Sequence, residues 1–152
     1  MRLCMIELGK CFMSQPSTPS FSTVQRGGSL TVSSGSPWEP KIGYSRAVKK
    51  GNMIFVSGCV GIEADKTYSP DPTRQAERSL EIIGAALEAL GASMADVVST
   101  RMYIIDIAEW EKIALVHGKI FGEIRPATVM VEVSKLIDDA ARVEIEATAV
   151  VG

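Results

Sequence analysis

Alternating apolar and polar residues near the end of the chain predict two β-strands. Valine occupies every second position early in Ala127–Leu136, and small apolar residues alternate with Glu144 and Glu146 in Arg142–Val151. A period of two is typical of strands. A polar turn joins the two strands, so we expect them to lie side by side. Their carboxylate face is a candidate site or interface, because a strand surface wholly in water would carry more lysine.

Two earlier segments repeat apolar residues at helical spacing. The first, with Asp71 or Thr73 as its cap, ends at Gly91, and the second follows Asp106. A hairpin from Arg46 to Gly58 and a single strand before the second helix complete the order β-β-α-β-α-β-β. This order predicts an α+β domain with its helices on one sheet face. The other sheet face has no helices on it, and contact with further copies of the chain is the simplest way to shield it from water.

Residues 1–40 differ in composition from the rest of the chain. Ser14–Ser36 is rich in Ser, Thr, Pro and Gly, which is typical of a linker. We therefore predict a flexible segment over residues 1–40 and one folded domain over residues 41–152. An organelle-targeting peptide is the alternative for the first residues, but Glu7 and the scarcity of arginine argue against it.

Overall charge and composition exclude several classes of function. The net charge is −2, so no basic field favours a nucleic-acid backbone. No apolar run approaches the ~20 residues needed to span a membrane. Three cysteines at unrelated spacings and one histidine indicate neither a disulfide framework nor a metal site. The cysteine usage fits a reducing compartment, so we expect a cytoplasmic protein.

Five separated segments resemble the Rid family, also called YjgF-type or RidA-like. They are Gly43–Val48, Gly51–Gly58, Leu90–Val98, Phe121–Ala127 and Val143–Ala147, and they occur in the family's order from about residue 41 to the end. The resemblance implies a chorismate-mutase-like fold and a homotrimer whose sheets form a central barrel. It also implies small-molecule clefts between subunits, where imines and enamines are hydrolysed to keto acids and ammonia. No metal or cofactor takes part in that reaction.

The resemblance also implies roles for particular residues. Glu144 matches the glutamate that positions the attacking water, and Tyr44 matches a tyrosine of the cleft. Ser57 and Gly58 match the segment whose backbone lines the same cleft. The family's carboxylate-binding arginine is replaced by Thr128, which cannot form a bidentate, charge-assisted contact. We therefore expect a divergent subgroup whose substrate lacks an α-carboxylate or is held differently.

Arg101 is a candidate replacement for the missing cation. Strand parity leads us to expect Thr128, Glu132 and Glu144 on one face, with Arg101 approaching from the adjacent strand. The alternative is a structural ion pair between Arg101 and Glu132 or Glu146.

Three further residues are candidate substrate-binding groups. His117 lies one helical turn after Ala114, where the family has an asparagine, so it is either a polar contact of the cleft or a satisfied core histidine. Cys59 follows Gly58 and is either a cleft thiol or a buried, inert cysteine. Met130 shares the strand face of Thr128.

Three functions remain at this point. The first is hydrolysis, or deamination, of an imine, an enamine or a related reactive metabolite. The second is a non-catalytic trimer that binds or senses a metabolite in the same cleft. The third takes up the ribonuclease and translation-inhibitor labels attached to some Rid proteins, and the acidic net charge argues against it.

Overall fold

The computed structural model describes residues 19–152, which contain seven strands and three helices. The strands are β1 (Ser22–Arg26), β2 (Ser29–Ser33), β3 (Ala47–Lys50), β4 (Met53–Val60), β5 (Val97–Ile104), β6 (Ala127–Glu132) and β7 (Val143–Val150). The helices are α1 (Trp38–Ile42), α2 (Pro72–Glu88) and α3 (Trp110–Phe121). Short 3-10 turns at Met94–Asp96 and Ile107–Glu109 precede β5 and α3.

One mixed sheet contains all seven strands, in the order β1-β2-β3-β4-β7-β5-β6. Neighbouring strands are antiparallel except β5 and β6, which are parallel. Alternate residues of β7, from Val143 to Ala149, are buried on the side covered by helices, whereas Glu144 and Glu146 lie on the open side. The predicted α+β order from Arg46 onward is therefore confirmed.

The last two strands are not neighbours in the sheet. β5 lies between β6 and β7, and it pairs in parallel with β6 and in antiparallel with β7. The prediction that these strands lie side by side is wrong. Period-two patterning identifies a strand and its apolar face, but it does not identify the strand's hydrogen-bonding partner.

Residues 22–40 belong to the folded domain, so the predicted flexible segment is wrong there. Gly27, with a φ of 55°, and Gly28 form the two-residue turn between β1 and β2, and β2 pairs with β3. The serines that suggested a linker bind a buried carboxylate: Ser33 and Ser34 donate hydrogen bonds to Glu39. Residues 1–18, including the alternative of a targeting peptide, lie outside the described residues.

Helix α2 anchors the covered face of the sheet. Asp71 caps it by accepting a hydrogen bond from the Thr73 amide at 2.9 Å. Leu80, Ile83 and Leu87 project into the core and are at most 2% exposed. Burial of each such side chain contributes about 1.5–3 kcal/mol. Within residues 19–152, no helix combines the length and apolar character needed to cross a bilayer.

The open face of the sheet retains large apolar side chains. Met53 and Phe55 of β4 are 41% and 47% exposed, and Val129 and Val131 of β6 are 45% and 41% exposed. Each alternates with residues that face the helices. A single copy of the chain therefore leaves an apolar sheet surface in water.

Candidate functional site

A bulge in β4 brings Gly58 against the side chain of Glu144. The registers of β4 against β7 differ by one residue on the two sides of Ser57 and Gly58, so an extra residue is inserted there. A Cβ atom added to Gly58 would lie 2.8 Å from Cδ of Glu144 and would overlap its carboxylate oxygen. Position 58 therefore needs glycine for Glu144 to keep this placement.

The Glu144 carboxylate is half-buried on the open face. Burial raises the pKa of Glu144 above its ordinary value, the charge of Glu146 raises it further, and the guanidinium of Arg46 opposes the shift. A carboxylate with a raised pKa is a stronger base than a solvated one. The position and basicity of Glu144 therefore suit it to take a proton from a bound water.

Arg46 holds the bulge in place from within the chain. Its Nη1 atom donates hydrogen bonds to the carbonyls of Ser57 at 3.1 Å and Gly58 at 2.6 Å, and lies 3.2 Å from Sγ of Cys59. Sequence reasoning missed this residue because its partners are backbone carbonyls, which leave no pattern in the sequence. Arg46 fixes the peptide groups next to Glu144 and supplies the nearby positive charge.

The other predicted residues of this region have local partners. Cys59 is 2% exposed, and burial raises the pKa of its thiol. This burial matches the inert-cysteine alternative and contradicts direct substrate binding by Cys59. The Ser57 hydroxyl donates to the Ser45 carbonyl at 2.8 Å, and the Ser57 amide donates to the Arg46 carbonyl at 3.0 Å. Since its carbonyl also accepts from Arg46, every polar group of Ser57 has a partner within the chain. Tyr44 is half-buried, with its ring centroid 5.8 Å from the guanidinium carbon of Arg46.

Two further side chains that face Glu144 carry no sequence signal. The pKa of the Tyr68 phenol is raised by burial and then by the carboxylates of Asp138 and Glu144. Tyr103 of β5 is the register partner of Glu144. Tyr68 lies in the loop after β4 and Asp138 in the loop before β7, and only the folded chain brings them together.

Arg101 lies on the open face and is paired with Glu146. Its Nη1 atom is 2.7 Å from Oε1 of Glu146, and its side chain is 57% exposed. The structure therefore contains the ion pair with Glu146 that was the alternative. Arg101 cannot replace a cation at Thr128 of the same chain, because Thr128 lies on the opposite face of the sheet.

A chain of hydrogen bonds joins Thr128 to α3. Thr128 Oγ1 lies 2.9 Å from Thr100 Oγ1, which lies 2.9 Å from His117 Nε2, and the Thr128 hydroxyl also donates to the Pro126 carbonyl at 3.0 Å. Thr100 is 1% exposed. Burial lowers the pKa of His117, so the neutral ring is favoured. His117 therefore has the polar partner expected of a satisfied histidine, and that partner leads to Thr128.

The expectation that Thr128, Glu132 and Glu144 share a face is wrong. Thr128 and Met130 point to the helix side, where Met130 packs against the core. Glu132 points the same way and accepts a hydrogen bond from the Ile107 amide at 2.7 Å. Parity within one strand cannot be carried to another strand, because the register between them depends on tertiary pairing.

The predicted residues thus form two separate groups. Glu144, Gly58 and Ser57 cluster on the open face beside Arg46, whereas Thr128 and its partners lie at the edge strand on the helix side. One chain does not bring the two groups together. Among residues 19–152, no three His, Cys, Asp or Glu side chains are placed to hold a metal ion.

Comparison with known proteins identifies the family. Residues 34–151 match the family described as endoribonuclease L-PSP. A RutC family protein of Pyrococcus abyssi is 43% identical over 108 residues, which cover 70% of this chain and 84% of that protein. The chain belongs to the YjgF/RutC family. These are the Rid proteins, so the resemblance carried by the five segments is confirmed.

Solved structures and named relatives of the Rid family extend this result. A Mycobacterium tuberculosis member of the YjgF/YER057c/UK114 family superposes with a TM-score of 0.75 at 45% identity, over 81% of this chain and 99% of that one. The predicted YjgF-type fold is therefore confirmed. The 2-iminobutanoate/2-iminopropanoate deaminase of Escherichia coli is 33% identical over 111 residues, covering 70% of this chain and 86% of the enzyme.

Proposed function

We propose that this Rid protein hydrolyses an imine or enamine to a carbonyl compound and ammonia, with Glu144 as the base. The observation that carries the proposal is the half-buried Glu144 carboxylate, held against Gly58 with a raised pKa. The activity named for the Escherichia coli relative supports the same class of reaction. An enamine enters this scheme after tautomerising to its imine.

The reaction uses groups that the chain itself supplies. Glu144 accepts a proton from water while the water oxygen bonds to the imine carbon. The electrons of the C=N bond move to nitrogen, which takes up the proton held by Glu144. The resulting carbinolamine then gives its hydroxyl proton to Glu144 while the C=O bond forms and the C–N bond breaks, and Glu144 passes that proton to the departing nitrogen, which leaves as ammonia. Tyr44 and the backbone at Gly58 are assigned to hold polar groups of the substrate.

Assembly of identical chains completes the proposed site. The exposed apolar surface of β4 and β6, including Phe55 and Val131, requires a partner, and a homotrimer covers it on all copies. Thr128 lies on the opposite side of its own sheet from Glu144. If both residues contact one substrate, they come from two subunits. His117 supports Thr128 in this arrangement.

The chemistry at Thr128 limits the substrate class. A threonine hydroxyl offers one donor and no charge, whereas a carboxylate is best held by a cation with paired donors. Thr128 already donates to the Pro126 carbonyl. The preferred substrate is therefore an imine without an α-carboxylate, or one whose carboxylate is held elsewhere.

A ribonuclease activity is less compatible with this site. The proposed catalytic surface carries the carboxylates of Glu144 and Glu146, and the whole chain has a net charge of −2. Binding of a nucleic-acid backbone depends on cationic side chains that neutralise phosphates.

The test is ammonia release from freshly generated imines, with and without an α-carboxylate. Wild type is compared with Glu144→Gln, and Glu146→Gln serves as a matched control that removes a charge from the same strand and face. We expect Glu144→Gln to lose at least ~100-fold in kcat, the order of a general-base contribution, while Glu146→Gln stays within a few-fold of wild type.

Two results would change the proposal. Equal turnover by wild type and Glu144→Gln would remove Glu144 from the mechanism. No turnover on any imine by a correctly assembled trimer, together with ligand-dependent thermal stabilisation, would favour the metabolite-binding alternative. Light scattering on the same samples tests the trimer itself.

A further inference from the structure

Gln75 is a fully buried amide that joins two loops to one helix. It lies in the first turns of α2 and is 0% exposed. Its Nε2 group donates to the Ser69 carbonyl at 2.7 Å and to the Ala140 carbonyl at 2.9 Å, and its Oε1 accepts from the Arg142 amide at 2.8 Å. Both donor hydrogens and one acceptor of this side chain are therefore used on loop backbone.

The three backbone partners lie next to groups that surround Glu144. Ser69 follows Tyr68, Ala140 comes two residues after Asp138, and Arg142 comes two residues before Glu144 itself. Tyr68 forms a bridge with Ile62, two residues beyond Val60, which is the register partner of Glu144 in β7. Asp138 and Glu144 both act on the Tyr68 phenol, so the two loops meet beside the carboxylate. Gln75 is thus connected to the loop of Tyr68, to the loop of Asp138 and to the residue at the start of β7.

The backbone of Gln75 is itself held against the end of β4. Gly61 approaches it so closely that a Cβ atom added at position 61 would lie 2.6 Å from Cβ of Gln75 and would overlap the backbone of Gln75. Ser79 Oγ also donates to the Gln75 carbonyl at 2.9 Å. These contacts restrict the backbone of Gln75, so its side-chain amide has a fixed position.

We infer that Gln75 is a positioning residue, which holds the loops of Tyr68 and Asp138 around Glu144 and thereby keeps water away from the carboxylate. This inference deepens the proposed function and rests on it where catalysis is concerned. The structural part of the inference does not depend on the reaction: Gln75 holds two loops around Glu144 whether or not the protein is an enzyme. Without the amide, three part-buried backbone hydrogen bonds are lost, and water entering to replace them would open the enclosure.

The experiment measures the titration of Glu144 directly, by NMR of chains labelled with ¹³C at the glutamate carboxyl carbon. The Glu144 signal is identified by its absence from Glu144→Gln. In Gln75→Met, which has a similar side-chain length and no amide, we expect the pKa of Glu144 to fall towards its ordinary value because the carboxylate becomes better solvated. Leu87→Ala, a buried change at the other end of α2, is the control that weakens the fold without touching the loops.

A second measurement shows whether the hydrogen bond between Gln75 and the Arg142 amide is lost. Hydrogen exchange at the Arg142 amide should accelerate in Gln75→Met more than in Leu87→Ala. Should Gln75→Met fail to fold, Gln75→Asn keeps the amide but shortens its reach by one methylene. Unchanged exchange at Arg142 in the folded variants, or an unchanged Glu144 titration despite faster exchange, would overturn the inference.

The activity measurement separates this inference from the proposed function. If wild type hydrolyses an imine, Gln75→Met should lower kcat by about tenfold or more with little change in KM, because the base is misplaced rather than the substrate lost. Leu87→Ala should retain the wild-type kcat. If no imine is hydrolysed but the Glu144 titration shifts as expected, the proposed reaction fails and the positioning role of Gln75 stands.

Discussion

Two glycines near the end of β4 allow a sharp test of how Glu144 is placed. The nearest atoms to a Cβ atom at Gly58 would be those of the flexible Glu144 side chain, with Cδ at 2.8 Å and Cγ at 3.1 Å. A Cβ atom at Gly61 would meet the backbone of Gln75, which cannot rotate away. Gly58→Ala should therefore damage the site and spare the fold, whereas Gly61→Ala should damage the fold.

The expected magnitudes follow from these contacts. In Gly58→Ala, displacing the Glu144 side chain from its rotamer costs about 0.5–1.5 kcal/mol. Alanine also reduces the conformational entropy of the unfolded chain, which stabilises the folded state by about 0.4–1 kcal/mol. The net change in unfolding free energy should therefore stay within about 1 kcal/mol. Gly61→Ala forces the strand and α2 apart and should cost about 1–3 kcal/mol or more.

The effect on kcat should have the opposite order, with Gly58→Ala losing more activity than Gly61→Ala. A carboxylate moved by about 1 Å can lose about 100-fold in rate, which corresponds to ~2.7 kcal/mol in the barrier. Urea denaturation of both variants gives the unfolding free energies, and ammonia release gives kcat. A Gly58→Ala protein with wild-type kcat, or one destabilised as much as Gly61→Ala, would show that Gly58 does not set the position of Glu144.

The remaining predictions concern three ionisable side chains. The raised pKa of Glu144 favours the protonated carboxyl group in the folded chain. The unfolding free energy of wild type relative to Glu144→Gln should therefore be greatest below pH 4.5, the ordinary pKa, and should fall as the pH rises through the raised pKa. Urea unfolding from about pH 4 to pH 8 measures this difference. The lowered pKa of His117 favours its neutral ring in the folded chain. Its contribution to the unfolding free energy should therefore be complete above pH 6.5, the ordinary pKa, and should be lost as the pH falls through the lowered pKa. His117 is the single histidine of the chain, so its NMR titration is unambiguous, and a midpoint at or above 6.5 would contradict the stated burial effect. Arg101→Met should leave the urea midpoint unchanged at physiological salt, because the exposed pair with Glu146 is screened by solvent; a clear drop would assign the pair a structural role.

Residues 22–40 show how composition can mislead. A segment rich in serine resembles a linker, yet its serines satisfy the buried carboxylate of Glu39 and its Gly27–Gly28 pair closes a hairpin. Composition counts residue types and does not record which partner each hydroxyl will find. The alternation of Leu30 and Val32 with polar residues in β2 was the signal that could have identified this strand.

The candidate site divides in the same way. Glu144 and Gly58 could be selected before the fold was known, because their segments resemble a family with a described site. Arg46 and Gln75 could not be selected, because they act on backbone carbonyls and amides that every sequence possesses. Tyr68 could not be selected either, because its neighbours lie more than sixty residues away in the chain.

The sequence by itself determined the local elements: the strand and helix segments from Arg46 onward, the capped start of α2, and the family. These depend on periodicity and short-range bonding, which a linear pattern records. Tertiary structure alone decided that β5 separates β6 from β7, that Thr128 and Glu144 lie on opposite faces, and that Gln75 ties two loops beside the carboxylate. Strand partners and registers result from packing of the whole chain, so no local pattern could have specified them.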